Sequence, residues 1–175
     1  LWLFFLTPIA LISFIFYFAS VGGFGDMPDL EVLENPKTNL ASEVISADGK
    51  TLGKYYFNDN RTPVTFDELP THLVDALIAT EDIRFYSHSG IDFKRTFGAA
   101  LKFGQDGGGS TITQQLAKLL FTGEGSRDML ERLTQKFKEY IIAVRLERHY
   151  TKDEIITQYL NLYDFGNNGD GIRSA

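Results

Sequence analysis

Glu81-Asp82-Ile83-Arg84-Phe85-Tyr86-Ser87-His88-Ser89-Gly90 closes an apolar helical segment with an acid pair, then sets an aromatic, a histidine and a glycine turn. Within about two dozen residues comes Gly108-Gly109-Ser110-Thr111-Ile112-Thr113-Gln114-Gln115, a glycine loop feeding a helix with a polar first turn. Packing alone does not ask for two such signatures on one short chain, so together they mark a site. Upstream, Thr71 opens a helical pattern in which Leu73, Ala76, Leu77 and Thr80 share a face. Downstream, Asp92 to Phe103 is expected to be a helix with Phe93, Phe97, Ala100 and Leu101 inward. Ser110 is the expected N-cap of a third helix, running to about Phe121. The longest helix covers about Ser126 to His149. Phe137, Tyr140, Ile141, Ile142, Val144 and Leu146 make its middle apolar around most of the circumference, as in a helix central to a bundle. Thr151-Lys152-Asp153-Glu154 is a capping box that opens a last helix through about Tyr163.

Towards the other end, residues 62–70 are a connection with two prolines. Asp48-Gly49, between two β-prone runs, signals a hairpin. Gly22 to Asn39 reads as a juxtamembrane linker. Leu1 to about Val21 carries no charged residue. About 20 helical residues at ~1.5 Å each span a ~30 Å hydrocarbon core, so this stretch is expected to be a membrane anchor. A signal peptide is the competing reading, but Ala19-Ser20-Val21 makes a poor cleavage site. The domain plan is therefore an anchor over 1–21, a linker with a hairpin over 22–70, and a mainly helical domain over 71–175. The start at Leu1 and the stop at Ala175 suggest a piece of a longer protein.

The 175 residues carry a net charge of -6, which argues against a general nucleic-acid binder. With no cysteine, disulfides and thiolate metal sites are excluded. His72, His88 and His149 have no metal-ligand spacing.

Several residues could carry chemistry. Glu81, at a helix end among apolar neighbours, is either a general acid or base or a solvated helix-end acid. Asp82 suits tying the following turn, and His88 suits holding that loop more than shuttling a proton. Gly107-Gly108-Gly109-Ser110-Thr111 leads into a helix N-terminus, where free N–H groups favour anions such as pyrophosphate. No Gly-Lys-Ser/Thr follows, so this is not a nucleotide loop. Gln114 and Gln115 suit hydrogen bonding to a sugar or a buried network. From Lys118 to Lys152 there are eight Lys/Arg against five Asp/Glu. That stretch is either a solvated helix face or a cradle for a diphosphate. Glu139 either pairs with a lysine such as Lys136 or Lys138, or is a second carboxylate facing Glu81.

Together these residues resemble the peptidoglycan glycosyltransferase domain of class A penicillin-binding proteins and monofunctional transglycosylases. The family's first motif, Glu-Asp-x-x-Phe-x-x-His-x-Gly, is met at Glu81, Asp82, Phe85, His88 and Gly90. Its second is met from Gly108 to Lys118, with Ser110, Thr111, Thr113, Gln114 and Gln115. The third, Arg-Lys-x-x-Glu, is met at Lys136 and Glu139, with Gln135 where the family has arginine. The fourth resembles Glu154-Ile155 with Tyr159-Leu160-Asn161, and the fifth begins at Gly171-Ile172. The resemblance implies a lysozyme-like, mainly α fold at the outer face of the bacterial cytoplasmic membrane. It implies polymerisation of lipid II into glycan strands, with cell-envelope proteins as further partners. By analogy Glu81 takes the proton from the acceptor's 4-hydroxyl. Glu139, Lys118, Lys136 and Arg127 organise the pyrophosphate, directly or through a divalent ion such as Mg2+ or Mn2+. No organic cofactor is implied.

Rival readings remain. A lysozyme-like hydrolase would also use a glutamate but needs no basic cluster. A non-catalytic membrane scaffold would tolerate loss of Glu81. Transpeptidation finds no support, because Ser-x-x-Lys, Ser-x-Asn and Lys-Thr-Gly are absent from these residues.

Overall fold

The computed structural model describes residues 2–23, 25, 27, 42–55, 61–101, 109–123, 125, 128–166 and 169–175. It is mainly helical. Helix α1 (Trp2–Ser20) is followed by an antiparallel hairpin of β1 (Ser42–Ile45) and β2 (Thr51–Tyr55). The hairpin turns where expected. Ser46 N–H donates to the Lys50 carbonyl at 2.8 Å, and Gly49 takes φ +79°, which glycine adopts without strain. Then come α2 (Thr71–Glu81), α3 (Phe93–Leu101), α4 (Ile112–Ala117) with a π turn over Lys118–Thr122, α5 (Met129–His149) and α6 (Lys152–Leu162).

The core gathers around α4, which packs between α5 and α6. Ile112, Leu116 and Ala117 meet Ile142 and Leu146 of α5 and Ile155, Ile156, Tyr159 and Leu160 of α6. Phe85 and Val74 join the same cluster. So α4 holds the central place expected of α5, whose apolar middle buries Ile142, Ala143 and Leu146 but leaves Phe137, Tyr140, Ile141 and Val144 half-buried. Helix α5 starts at Met129 rather than Ser126 because Asp128 is the cap, its carboxylate accepting from the Leu130 and Glu131 amides. The Thr151–Glu154 capping box opens α6 as expected.

Three expectations need correction. The buried face of α2 is Val74, flanked by half-buried Leu73, Leu77 and Ile78, while Ala76 and Thr80 are exposed. Phe93 and Phe97 of α3 point outward, 75% and 68% exposed, because no described element covers that face. The cap of α4 is Thr111, not Ser110: its hydroxyl accepts from Gln114 N–H, and the Gln114 side chain answers at the Thr111 amide.

Of the anchor expected over 1–21, Trp2–Ser20 is helical, and Phe16 of α1 packs edge-on against Phe137 of α5 at 5.5 Å. Among the described residues no helix is long and apolar enough to cross a membrane.

The far end of the domain is sewn to the connection before α2. Asn161 accepts from Val64 N–H and donates to the Val64 carbonyl, both at 2.9 Å. Gly171 lies over the end of α6 at φ +79°, where an added Cβ would come within 2.6 Å of the Asn161 carbonyl oxygen.

Gly90 is the tightest backbone approach near the site. At φ +85°, a Cβ there would meet the Ala143 carbonyl group at 2.8 Å. Strain and clash therefore act together, and Gly90→Ala should lose on the order of 3 kcal/mol of stability. Chemical denaturation of the two proteins measures this; equal midpoints would show that the loop yields.

Candidate functional site

The acid pair has two separate jobs. Asp82 caps the C-terminal end of α2 and is buried, 1% exposed. Its Oδ2 lies 3.0 Å from His88 Nε2 and accepts the Ile112 amide at 3.1 Å. That amide is one of the free donors at the start of α4. The first motif is thus bound to the helix of the second through one carboxylate. His88 donates from Nε2 to the carboxylate, so in the neutral ring Nδ1 is an acceptor, and among the described residues it is buried without a partner. The Gly90 carbonyl accepts the Thr111 hydroxyl at 2.7 Å and the Gln114 amide nitrogen at 3.1 Å, a second seam between the motifs.

Glu81, the last residue of α2, is half-buried. Its Oε2 accepts from Gln115 Nε2 at 2.8 Å, and Gln115 Oε1 accepts from the Tyr159 hydroxyl at 3.1 Å. Arg95 of α3 donates to the Glu81 carbonyl. The carboxylate is held on one side by an amide.

A second polar group forms where the loop before α4 meets α5. Lys136 Nζ bonds Ser110 Oγ and Glu139 Oε2, each at 2.7 Å, and lies 5.7 Å from the Tyr140 ring centre. Glu139 is 7% exposed, and its Oε1 is 3.5 Å from the Thr122 hydroxyl. Lys118, at the junction between α4 and the π turn, is exposed. Of the alternatives left open for Glu139, the pairing with Lys136 is present. Arg127 lies outside the described residues.

The predicted residues sort by access. Asp82, Phe85, Thr111, Thr113 and Gln114 are buried, and the polar ones spend their hydrogen bonds on the protein. Ser110, Gln115 and Lys136 are half-buried, and Lys118 is open to solvent.

Four supporting residues escaped the sequence reading. Glu147 Oε1 accepts from Thr113 Oγ1 at 2.6 Å and from Lys152 Nζ at 2.8 Å. Lys152 also donates to the His88 carbonyl at 2.7 Å and sits 4.2 Å over the Phe85 ring. Arg84 makes a fork to Asp92 at 2.8 and 2.7 Å, and Asp92 accepts the Arg95 amide at 3.0 Å. A carboxylate opening a helical run was a signal for Asp92 as a cap. Nothing in the sequence pointed from Lys152 back to residue 88.

Metal fit can be judged from the donors. Asp82, His88 and Asp92 offer atoms within 4.8 Å of one another. Their oxygens are committed to His88, the Ile112 amide, Arg84 and the Arg95 amide, so this cluster is scaffold. A magnesium-like ion takes one or two carboxylates plus substrate phosphates. Among the described residues Glu139 Oε1 is approached only by the Thr122 hydroxyl at 3.5 Å, so its chemistry suits such an ion.

Residues 48–175 match the model of the Transglycosylase family. The chain belongs to that family. It is 38% identical to penicillin-binding protein 1A of Escherichia coli K12 over 85% of this chain and 17% of that protein. It is 40% identical to penicillin-binding protein 1F of Bacillus subtilis 168, over 78% of this chain and 19% of that protein. Against penicillin-binding protein 1A of Vibrio cholerae the identity is 35%, over 94% of this chain and 19% of the relative. The chain thus spans about a fifth of the length of the relatives it matches.

Asp92 generates an acid-stability prediction. Burial alone would push its carboxyl up, but the Arg95 amide and the Arg84 guanidinium outweigh that and hold it below the usual carboxylate value. A folded pKa depressed in this way adds stability that is fully present above the unfolded value of about 3.9 and lost as pH falls through the folded one. Asp92→Asn should therefore be less stable than the parent at neutral pH, with the gap closing in acid. Denaturation midpoints at pH 7 and pH 3 test it; an unchanged gap would remove the ionic role.

Proposed function

We propose that this chain carries a peptidoglycan glycosyltransferase site that polymerises lipid II into glycan strands and releases undecaprenyl pyrophosphate. The observation that carries the reading is the double reach of α4. Gln115 on it holds Glu81, and Ser110, just before it, holds the Lys136–Glu139 pair. A half-buried carboxylate and a nearby polar group built on a lysine are two things this reaction needs, within the stretch that matches the Transglycosylase family.

In this reading Glu81 takes the proton from the acceptor's 4-hydroxyl. The freed oxygen attacks C1 of the donor sugar, and the bond from C1 to the pyrophosphate oxygen breaks, its electrons leaving with the lipid diphosphate. Lys136, Lys118 and Arg127 stabilise the negative charge that develops on the leaving group. Glu139 holds Lys136 in place and, with the diphosphate oxygens, would hold a divalent ion such as Mg2+ or Mn2+, which would supply further charge neutralisation. Ser110 and Gln115 face the substrate. Asp82, Phe85, His88, Thr111, Thr113 and Gln114 shape the site from behind. Gln135 leaves the cationic work to fewer side chains than the family pattern supplies.

We place the site at the outer face of the bacterial cytoplasmic membrane, with residues 1–21 as a single-pass anchor and 22–70 as the linker. The absence of charge from 1–21 supports this, as do the exposed Phe93 and Phe97, which would suit a lipid-facing side of the domain. The family's transfer chemistry favours this reading over a hydrolase.

Glu81→Gln should lower polymerisation of labelled lipid II by about 10²–10⁴-fold without unfolding the protein. Gel analysis of the glycan products, beside circular dichroism, reads both. A folded Glu81→Gln variant that still polymerises at the parent rate would point to the scaffold alternative.

A further inference from the structure

We infer that Tyr159 is a positioning residue: its hydroxyl fixes which way the Gln115 amide faces and, through it, the orientation of the Glu81 carboxylate. The inference rests on Glu81 being the base. Its geometry is the three-member chain from Tyr159 OH to Gln115 Oε1 at 3.1 Å and from Gln115 Nε2 to Glu81 Oε2 at 2.8 Å. The chain joins three separate elements, α6, α4 and the end of α2.

The direction of each bond follows from donor chemistry. An ionised carboxylate only accepts, so the amide must turn its nitrogen to Glu81. That leaves the amide oxygen facing Tyr159, and only a donor there completes the arrangement. Tyr159 can serve throughout the working pH range, because burial first, then Tyr163 and Glu81 nearby, push its phenol well up, and it stays protonated.

Core packing does not ask for that hydroxyl. Tyr159 is 3% exposed, belongs to the apolar cluster, and lies 5.2 Å from the Tyr163 ring. A phenylalanine would fill the same space. A buried phenol needs a polar partner, and here its partner is the residue that grips the base. Without the hydroxyl the amide is held from the Glu81 side alone. It can then shift about its own side-chain torsions, and the carboxylate it grips loses its fixed direction towards the acceptor sugar.

The test is steady-state lipid II polymerisation by the full-length protein and by Tyr159→Phe, Gln115→Ala, the double variant and Glu81→Gln, with a melting curve for each. Tyr159→Phe should lower kcat on the order of tenfold while KM stays unchanged. Gln115→Ala should lower kcat at least as much, and adding Tyr159→Phe to it should lower kcat no further, because both changes break one chain. Core damage would instead add to the Gln115 effect and track the melting temperature. A normal kcat in Tyr159→Phe, losses that add in the double variant, or a loss that follows stability would each overturn the relay. If Glu81→Gln is inactive in any of those cases, the glycosyltransferase reading survives and only the relay falls. If Glu81→Gln keeps polymerising, the base assignment fails and takes the relay with it.

Discussion

The carboxylate of Asp82 is the joint on which the site depends. It is buried, and a buried charge must be paired or it costs several kcal/mol. Its partners are His88, six residues on, and the first amide of α4, thirty residues on. One side chain therefore sets the turn after α2 and the place where α4 begins. Glu81, its neighbour in sequence, is aimed by the same constraint. With Asp82 fixed inward, the adjacent residue at the helix end is turned elsewhere, to the level of Gln115 on the second turn of α4. The acid pair thus divides into an inner residue that builds and an outer one that can act.

Around that joint the polar bonds form layers rather than one network. Gly90 brings its loop against α5 closely enough to exclude a side chain, and its carbonyl takes two donors from the start of α4. Lys152 reaches from α6 to the same loop and to Glu147 of α5, so the His88 segment is gripped from a third element. Short loops rarely hold one conformation by themselves. Here the loop is ordered by bonds from α4 to the Gly90 carbonyl and from α6 to the His88 carbonyl, and by the close approach of Gly90 to α5.

The sequence made the helical domain and its order legible, because apolar periodicity and caps act locally. The positions of α5 and α6 rest on the same signals, and so does the hairpin at Asp48-Gly49. Which face of a short helix turns inward was less readable. Periodicity placed Phe93 and Phe97 inward, but burial depends on what lies opposite, and a single strand of sequence does not carry that. The cap of α4 was off by one because Ser110 and Thr111 are both competent caps. The choice was made at a distance: Thr111 also bonds Gly90, and Ser110 is used by Lys136. Motif spacing led to Glu81, Gln115, Lys136 and Glu139. It was silent on Arg84, Glu147 and Lys152, whose partners are set by the tertiary fold.

Buried polar residues on α4 look wasteful for a core helix, since Thr111, Thr113 and Gln114 are fully buried in the middle of the apolar cluster. Each is satisfied: Thr111 and Gln114 donate to the Gly90 carbonyl, and Thr113 donates to Glu147. An apolar helix of the same shape could slide or rotate at little cost, because apolar contacts carry no direction. Hydrogen bonds do, and three of them, two to the Gly90 loop and one to α5, leave α4 one register and one rotation. That fixed setting is what lets Gln115 meet Glu81 on one side while the loop entering α4 meets Lys136 on the other. The polar character of the second motif is therefore a means of aiming a helix as much as of touching a ligand.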